Sequence, residues 1–153
     1  MPFLSSMDIS GSALTASRLR MDVISENIAN AETTRTVQGG PYRRKLVVYA
    51  PQDQQGNTSF QSMLDNEVSS SSDPSQQFGG VKVAAIVDDQ TPFTQVYDPS
   101  SPDANAQGYV QKPNVDIVKE TLDMMSVSRA YTANINAFNA VKTMASKALE
   151  MGK

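Results

Sequence analysis

The chain has 153 residues, 39% of them hydrophobic, with 13 Lys and Arg against 16 Asp and Glu. A net charge of −3 offers no electrostatic footprint for nucleic acid, and the one basic cluster, Arg43-Arg44-Lys45, lies inside a predicted strand. With no cysteine and no histidine, disulfides, zinc sites and the usual Ser-His and Cys-His nucleophiles lose their donors, so neither an enzyme nor a metal or cofactor is expected.

Residues Met1 to Ile9 show no basic n-region and no apolar h-region, so no cleavable secretory signal is read there. No apolar run approaches membrane-spanning length either. The first predicted helix runs from Met7 to Ala31. Met7, Leu14, Met21 and Ile28 recur at seven-residue spacing and make one apolar seam. A second stripe of Ile9, Ala16, Leu19 and Val23 lies beside it, across from a polar back of Thr15, Arg18, Asp22 and Glu26. One partner helix cannot cover both stripes.

Three threonines at 33, 34 and 36 favour extended backbone after that helix, and Gly39-Gly40-Pro41 then forces a turn. A strand is predicted from Tyr42 to Ala50, ended by Pro51. From Gln52 to Gln77 the sequence is polar and low in complexity, which predicts a mobile linker with at most one helical turn at Phe60, Met63, Leu64 and Val68. Val81 to Val87 reads as a second strand and Phe93 to Tyr97 as a third, forming one small sheet of about three strands. Gly108-Tyr109-Val110 then leads through Pro113 into the last helix, with Asn114 or Asp116 as its N-cap.

That helix is predicted from Val115 to Met151, about 55 Å long. Its large seam is Ile117, Met124, Val127, Tyr131, Ile135, Phe138, Val141, Ala145 and Leu149. Its second stripe is small: Ala130, Ala133, Ala137, Ala140 and Ala148, with Met144 among them, which lets another backbone approach closely. A hairpin within one chain, with surplus alanines in solvent, accounts for the alanines but not for Ile9, Leu19 and Val23. The fold class is therefore α+β: long terminal helices forming a coiled-coil-like bundle, with a small β-rich insert and a polar loop between them.

The only carboxylate groupings are Asp88-Asp89 and the stretch from Asp98 to Asp103, and the latter lacks the alternating acidic ligands of a calcium loop. It reads as a solvated proline-aspartate turn.

Ser12-Ala13-Leu14-Thr15-Ala16 through Glu26-Asn27-Ile28-Ala29-Asn30-Ala31, Tyr42-Arg43-Arg44-Lys45, Gly108-Tyr109-Val110, Pro113-Asn114-Val115-Asp116 and Ser128-Arg129-Ala130-Tyr131-Thr132-Ala133-Asn134 are a specific combination. On these residues the chain resembles, nearly end to end, the rod proteins of the bacterial flagellar basal body, and most nearly a proximal member. Thr132 stands where that family usually has glutamine, and Asp98-Pro99-Ser100-Ser101 lacks a histidine that relatives often show.

The resemblance implies a non-catalytic subunit, exported unfolded through the flagellar type III apparatus and polymerised helically around a central channel in the periplasm. Its partners would be copies of itself, other rod proteins and the basal rod adaptor next to the membrane ring, with no nucleic acid and no membrane insertion. Residues 1–34 and 113–153 would form the inner tube and 35–112 an outward-facing insert, its loop at about 52–78. The expected subunit interface is Ile9, Leu14, Ala16, Leu19, Met21, Val23 and Ile28 with Met124, Val127, Ala130, Tyr131, Ala133, Ile135, Ala137, Phe138, Ala140, Val141, Met144, Ala148 and Leu149. The competing class is a membrane-active exported protein, but interfacial helices favour Lys and Arg on the polar face, whereas these are rich in Ser, Asn and Asp.

Overall fold

A computed structural model describes residues 2–37, 39–53 and 78–152. It has one long helix at each end and short strands between them: α1 (Pro2–Ala29), β1 (Lys45–Asp53), β2 (Phe78–Asp88), β3 (Thr94–Tyr97), β4 (Tyr109–Lys112) and α2 (Ile117–Met151). The two helices pack side by side. They run antiparallel, since Asn27 near the end of α1 bonds to Glu120 in the first turn of α2. The α+β class and the two long terminal helices are as the sequence predicts, although α1 begins five residues earlier and ends two earlier than Met7 to Ala31, and α2 begins two residues later than Val115.

α1 ends where Asn30 turns its amide back to the Glu26 carbonyl at 2.9 Å and accepts the Thr33 hydroxyl at 3.2 Å, a local alternative to the helical ladder. α2 is capped by Asp116, whose carboxylate accepts the N–H groups of Val118 and Lys119 at 2.9 and 3.3 Å. Asn114, the other predicted cap, serves a different purpose. The less exposed residues of α2 follow the predicted large seam from Met124 through Val127, Tyr131, Ile135, Phe138 and Val141 to Ala145.

The middle departs from the sequence expectation. The strands do not make one sheet: β1 pairs with β2, and β3 with β4, as two separate antiparallel ribbons. β1 begins three residues later than predicted, at Lys45, and runs through Pro51 to Asp53. Proline lacks a ladder donor, but this is an edge strand with register irregularities at 48/49 and 51/53, where that loss is tolerated. Tyr109–Lys112, read as a lead-in, is a strand whose alternation buries Val110 and exposes its neighbours. Residues 54–77, with the helical turn suggested at Phe60 to Val68, lie outside the described residues.

The β1–β2 ribbon lies against α1. Gly80 permits the approach: it has φ +126°, and a Cβ there would stand 2.2 Å from Ser12 Oγ. The same hydroxyl accepts the Val81 N–H at 3.1 Å and donates to the Ile9 carbonyl at 2.8 Å. α1 therefore has α2 on one side and the ribbon on another, which is how one chain covers more than one stripe. Among the described residues the buried hydrophobics are only Ala16, Val23, Ile24, Ala31, Tyr42, Val110 and Val127. No described helix is long and apolar enough to cross a membrane.

Candidate assembly interface

A polar knot fixes the directions in which the helices leave the insert. Asn27 is 1% exposed and uses all of its hydrogen-bonding capacity. Its Oδ1 accepts the Tyr42 hydroxyl and the Lys45 N–H, both at 2.9 Å. Its Nδ2 donates to the Lys45 carbonyl at 3.0 Å and to Glu120 Oε2 at 3.1 Å. The other oxygen of Glu120, also 1% exposed, receives Arg44 Nε at 2.6 Å. Arg44 reaches Asp89 and Asp123 as well, at 3.6 and 3.5 Å. A buried carboxylate persists as an ion only with such a partner and full hydrogen bonding.

Asn114 closes the knot from the loop before α2. Its Oδ1 accepts the Arg44 N–H at 2.9 Å, and its Nδ2 donates to Thr91 Oγ1 at 2.8 Å. Arg43 lies 4.5 Å over the Phe93 ring and donates to the Asp89 carbonyl at 3.0 Å. The basic cluster is thus half-buried and engaged within the chain, but only Lys45 lies in a strand; Arg43 and Arg44 precede β1, contrary to the expectation that all three lie inside it. Burial pushes the Tyr42 hydroxyl up to about 12, with Glu26, Asp88 and Glu120 adding to the effect. The Thr91 N–H leads in holding Asp89 below the usual carboxylate range. At the proline-aspartate turn, the Ser100 hydroxyl and N–H lower Asp98 in the same way.

Away from the knot, α2 presents an uncovered face. Ala130, Ala133, Ala137, Ala140, Met144, Ala148 and Leu149 are all exposed. Met124, Tyr131, Ile135, Phe138 and Val141 are half-buried along the α1 side. On α1, Ile9 is exposed, and Leu14, Leu19, Met21 and Ile28 are half-buried. Ala16, Val23 and Val127 are each no more than 6% exposed. Those three side chains are taken up inside the single chain and are not free to meet a neighbour; the second stripe of α1 is in part the seat of the ribbon.

The sequence reading missed one patch. Val118, Leu122 and Met125 are 69%, 57% and 46% exposed and continue the uncovered face to the start of α2, with Ile117 beside them. Their i, i+4, i+7 spacing was the available signal, but the seam through Met124 hid it. The β1–β2 ribbon likewise leaves Val48, Ile86 and Val87 partly in solvent. Its runs Leu46-Val47-Val48-Tyr49 and Val83-Ala84-Ala85-Ile86-Val87 are apolar on both faces, the pattern of strands covered on both sides.

Comparison with known proteins bears directly on these surfaces. Residues 106–151 match the family described as flagellar basal body rod FlgEFG protein C-terminal, and residues 7–35 match the flagella basal body rod protein family. These segments hold most of the two helices. The chain is similar to the flagellar basal-body rod protein FlgC of Bacillus subtilis, with 51% identity over 152 residues and 97% of each chain covered. It is also similar to FlgC of Borreliella burgdorferi, at 42% over 156 residues with 97% of each covered. The FlgC protein of Salmonella typhimurium is 41% identical over 153 residues, with both chains covered in full.

Proposed function

This chain belongs to the FlgC family of flagellar basal-body rod proteins, and from that premise we propose how its surfaces build a rod. It is a structural subunit of the bacterial flagellar basal body. Its terminal segments, residues 1–34 and 113–153, form the inner tube by packing against other rod subunits around an export channel, and residues 35–112 form an insert turned outward. Copies of this chain and other rod proteins cover the exposed face of α2 in a helical assembly, and the basal rod adaptor next to the membrane ring meets one end of it. The subunit reaches the periplasm through the type III export apparatus, and it carries out no catalysis.

One observation carries this reading. Of the 35 residues of α2, only Glu120 and Val127 are buried, while Val118, Leu122, Met125, Met144, Leu149 and Met151 stand at least 46% exposed. A helix so little covered by its own chain lacks the apolar burial that usually stabilises helices in water. Burying a Leu or Met side chain fully is worth about 1.5–3 kcal/mol, so several such residues per subunit can offset the entropy of joining a polymer.

The test is Leu122→Asp in a motile strain. It is expected to leave the melting temperature of the purified subunit unchanged and to abolish its recovery in isolated rods. Normal incorporation would remove that face from the interface. Flotation of the purified chain with liposomes separates the membrane-active alternative, for which binding is required.

A further inference from the structure

We infer that Asn27, through Glu120, sets the register in which α1 lies against α2. The apolar seams cannot do so alone. Met7, Leu14, Met21 and Ile28 on α1, and Met124, Tyr131, Phe138 and Ala145 on α2, all recur every seven residues and are all half-buried. Sliding one helix by seven residues, about 10.5 Å, sets apolar side chains against apolar side chains again. The slip even brings Arg20 to the level of Glu120, an acceptable ion pair. Hydrophobic contact therefore leaves at least two registers close in energy.

Asn27 breaks that near-equivalence. No other position of α1 at that spacing can replace it: Arg20, Ala13 and Ser6 cannot accept from Tyr42 and Lys45 while donating to Lys45 and Glu120. A slipped α2 would strip Glu120 from Asn27 and from Arg44, leaving buried polar groups unmet. Of the remaining ties, Ser12 moves with α1 and β2 as one body, and the Asn114 contacts to Thr91 are exposed, so water can replace them. The part-buried bonds of Asn114 with the Arg44 N–H and the Asp89 carbonyl hold the start of α2 and add to the register that Asn27 sets. A buried asparagine that fixes helix register at some expense of stability is an established device in coiled coils.

The inference does not rest on the rod assignment, because it is tested on the purified full chain. The chain has no cysteine, so two can be introduced without interference. Arg20 and Asp123 line one groove where α1, the start of α2 and β1 meet, making Arg20→Cys with Asp123→Cys the native-register pair. Ala13→Cys with Asp123→Cys reports a seven-residue slip. With Asn27 and Glu120 intact, a short bismaleimide should join only the native pair.

In Asn27→Leu/Glu120→Leu, circular dichroism should show unchanged helix content. The native product should fall at least about two-fold as registers of similar energy share the population, and the shifted product should appear. Unchanged helix with native product alone would overturn the proposal. Should that variant lose helix, Asn27→Asp decides: it keeps both acceptor bonds but faces Glu120 with like charge, so the shifted product is required. Glu120→Gln, which can still accept from Asn27, should give the native product only; a shifted product there would assign register to the Arg44 ion pair instead.

Discussion

The two ends of α2 have very different surroundings. Its first turns carry Glu120, 1% exposed and held by Asn27 and Arg44, and Val127 is buried soon after. Beyond Val127 no residue of the helix is buried, although the sequence remains as apolar as before. The difference is one of neighbours, because α1, the loop at Asn114 and Arg44 at the foot of the β1–β2 ribbon converge on the first end, while among the described residues only α1 lies beside the rest. One end of the molecule is packed within its own chain, and the other is a long exposed surface, which the proposed assembly gives to other subunits.

The most severe way to break this contrast is to delete Ala145 to Lys153. That removes Ala148, Leu149 and Met151 from the exposed surface and none of the knot. Rods and motility should be lost, while the purified chain keeps a cooperative unfolding transition. A motile truncation would mean that the distal end of α2 is not part of the tube.

A subtler change overfills the alanine row. Ala137→Leu or Ala140→Leu should weaken incorporation by about 1–3 kcal/mol, the usual cost of forcing bulk into a close helix contact, which is roughly 5- to 150-fold in subunit affinity. Ser146→Leu, also exposed, should have little effect. Competition of each variant with unmodified subunits for entry into rods measures the difference. Equal incorporation of all three would place the alanines in solvent.

Much of the distal end was legible in the sequence, and much of the knot was not. Heptad and three-four spacing depend on local geometry alone, so the α1 seam and the large and small stripes of α2 could be read directly. Asn27, Arg44, Asn114 and Glu120 lie on three different parts of the chain, and no local period links them. Asn114 looked like a helix cap because asparagine often is one, yet its side chain is claimed by Arg44 and Thr91. Ala16 and Val23 showed the right stripe but not its occupant, since a strand that docks through Gly80 leaves no periodic mark on the helix. Tyr109–Lys112 is too short for alternation to stand out from a turn.

The knot can be sharpened by pH. Burial holds the Tyr42 proton to about 12 in the folded chain, against about 10 when unfolded. Between those values the unfolded state binds fewer protons, so stability falls as pH rises from about 10 to about 12, and it is fully present below that window. Tyr42→Phe should lower stability at neutral pH by about 1–3 kcal/mol, because Asn27 Oδ1 loses one donor in a buried site. Its unfolding midpoint should then decline less steeply than the parent's across the alkaline window. Parallel curves would show that the hydroxyl is not buried as described.

The smallest effect is expected far from both ends of α2. Asp53 and Phe78 are paired across the β1–β2 ribbon, so residues 54–77 join two points that already lie side by side, and a four-residue Asn-Gly turn can join them equally well. Loop-closure entropy changes slowly with length, and this shortening should favour the folded chain by about 1–2 kcal/mol. Thermal unfolding should show the same or a slightly higher midpoint, and swimming should persist, because the polar composition of the segment offers few apolar anchors for packing. A stable but non-motile variant would separate folding from assembly at this site. It would give residues 54–77 a docking role that composition does not reveal, and the division between an end packed within its own chain and a subunit-facing end would have to include the insert.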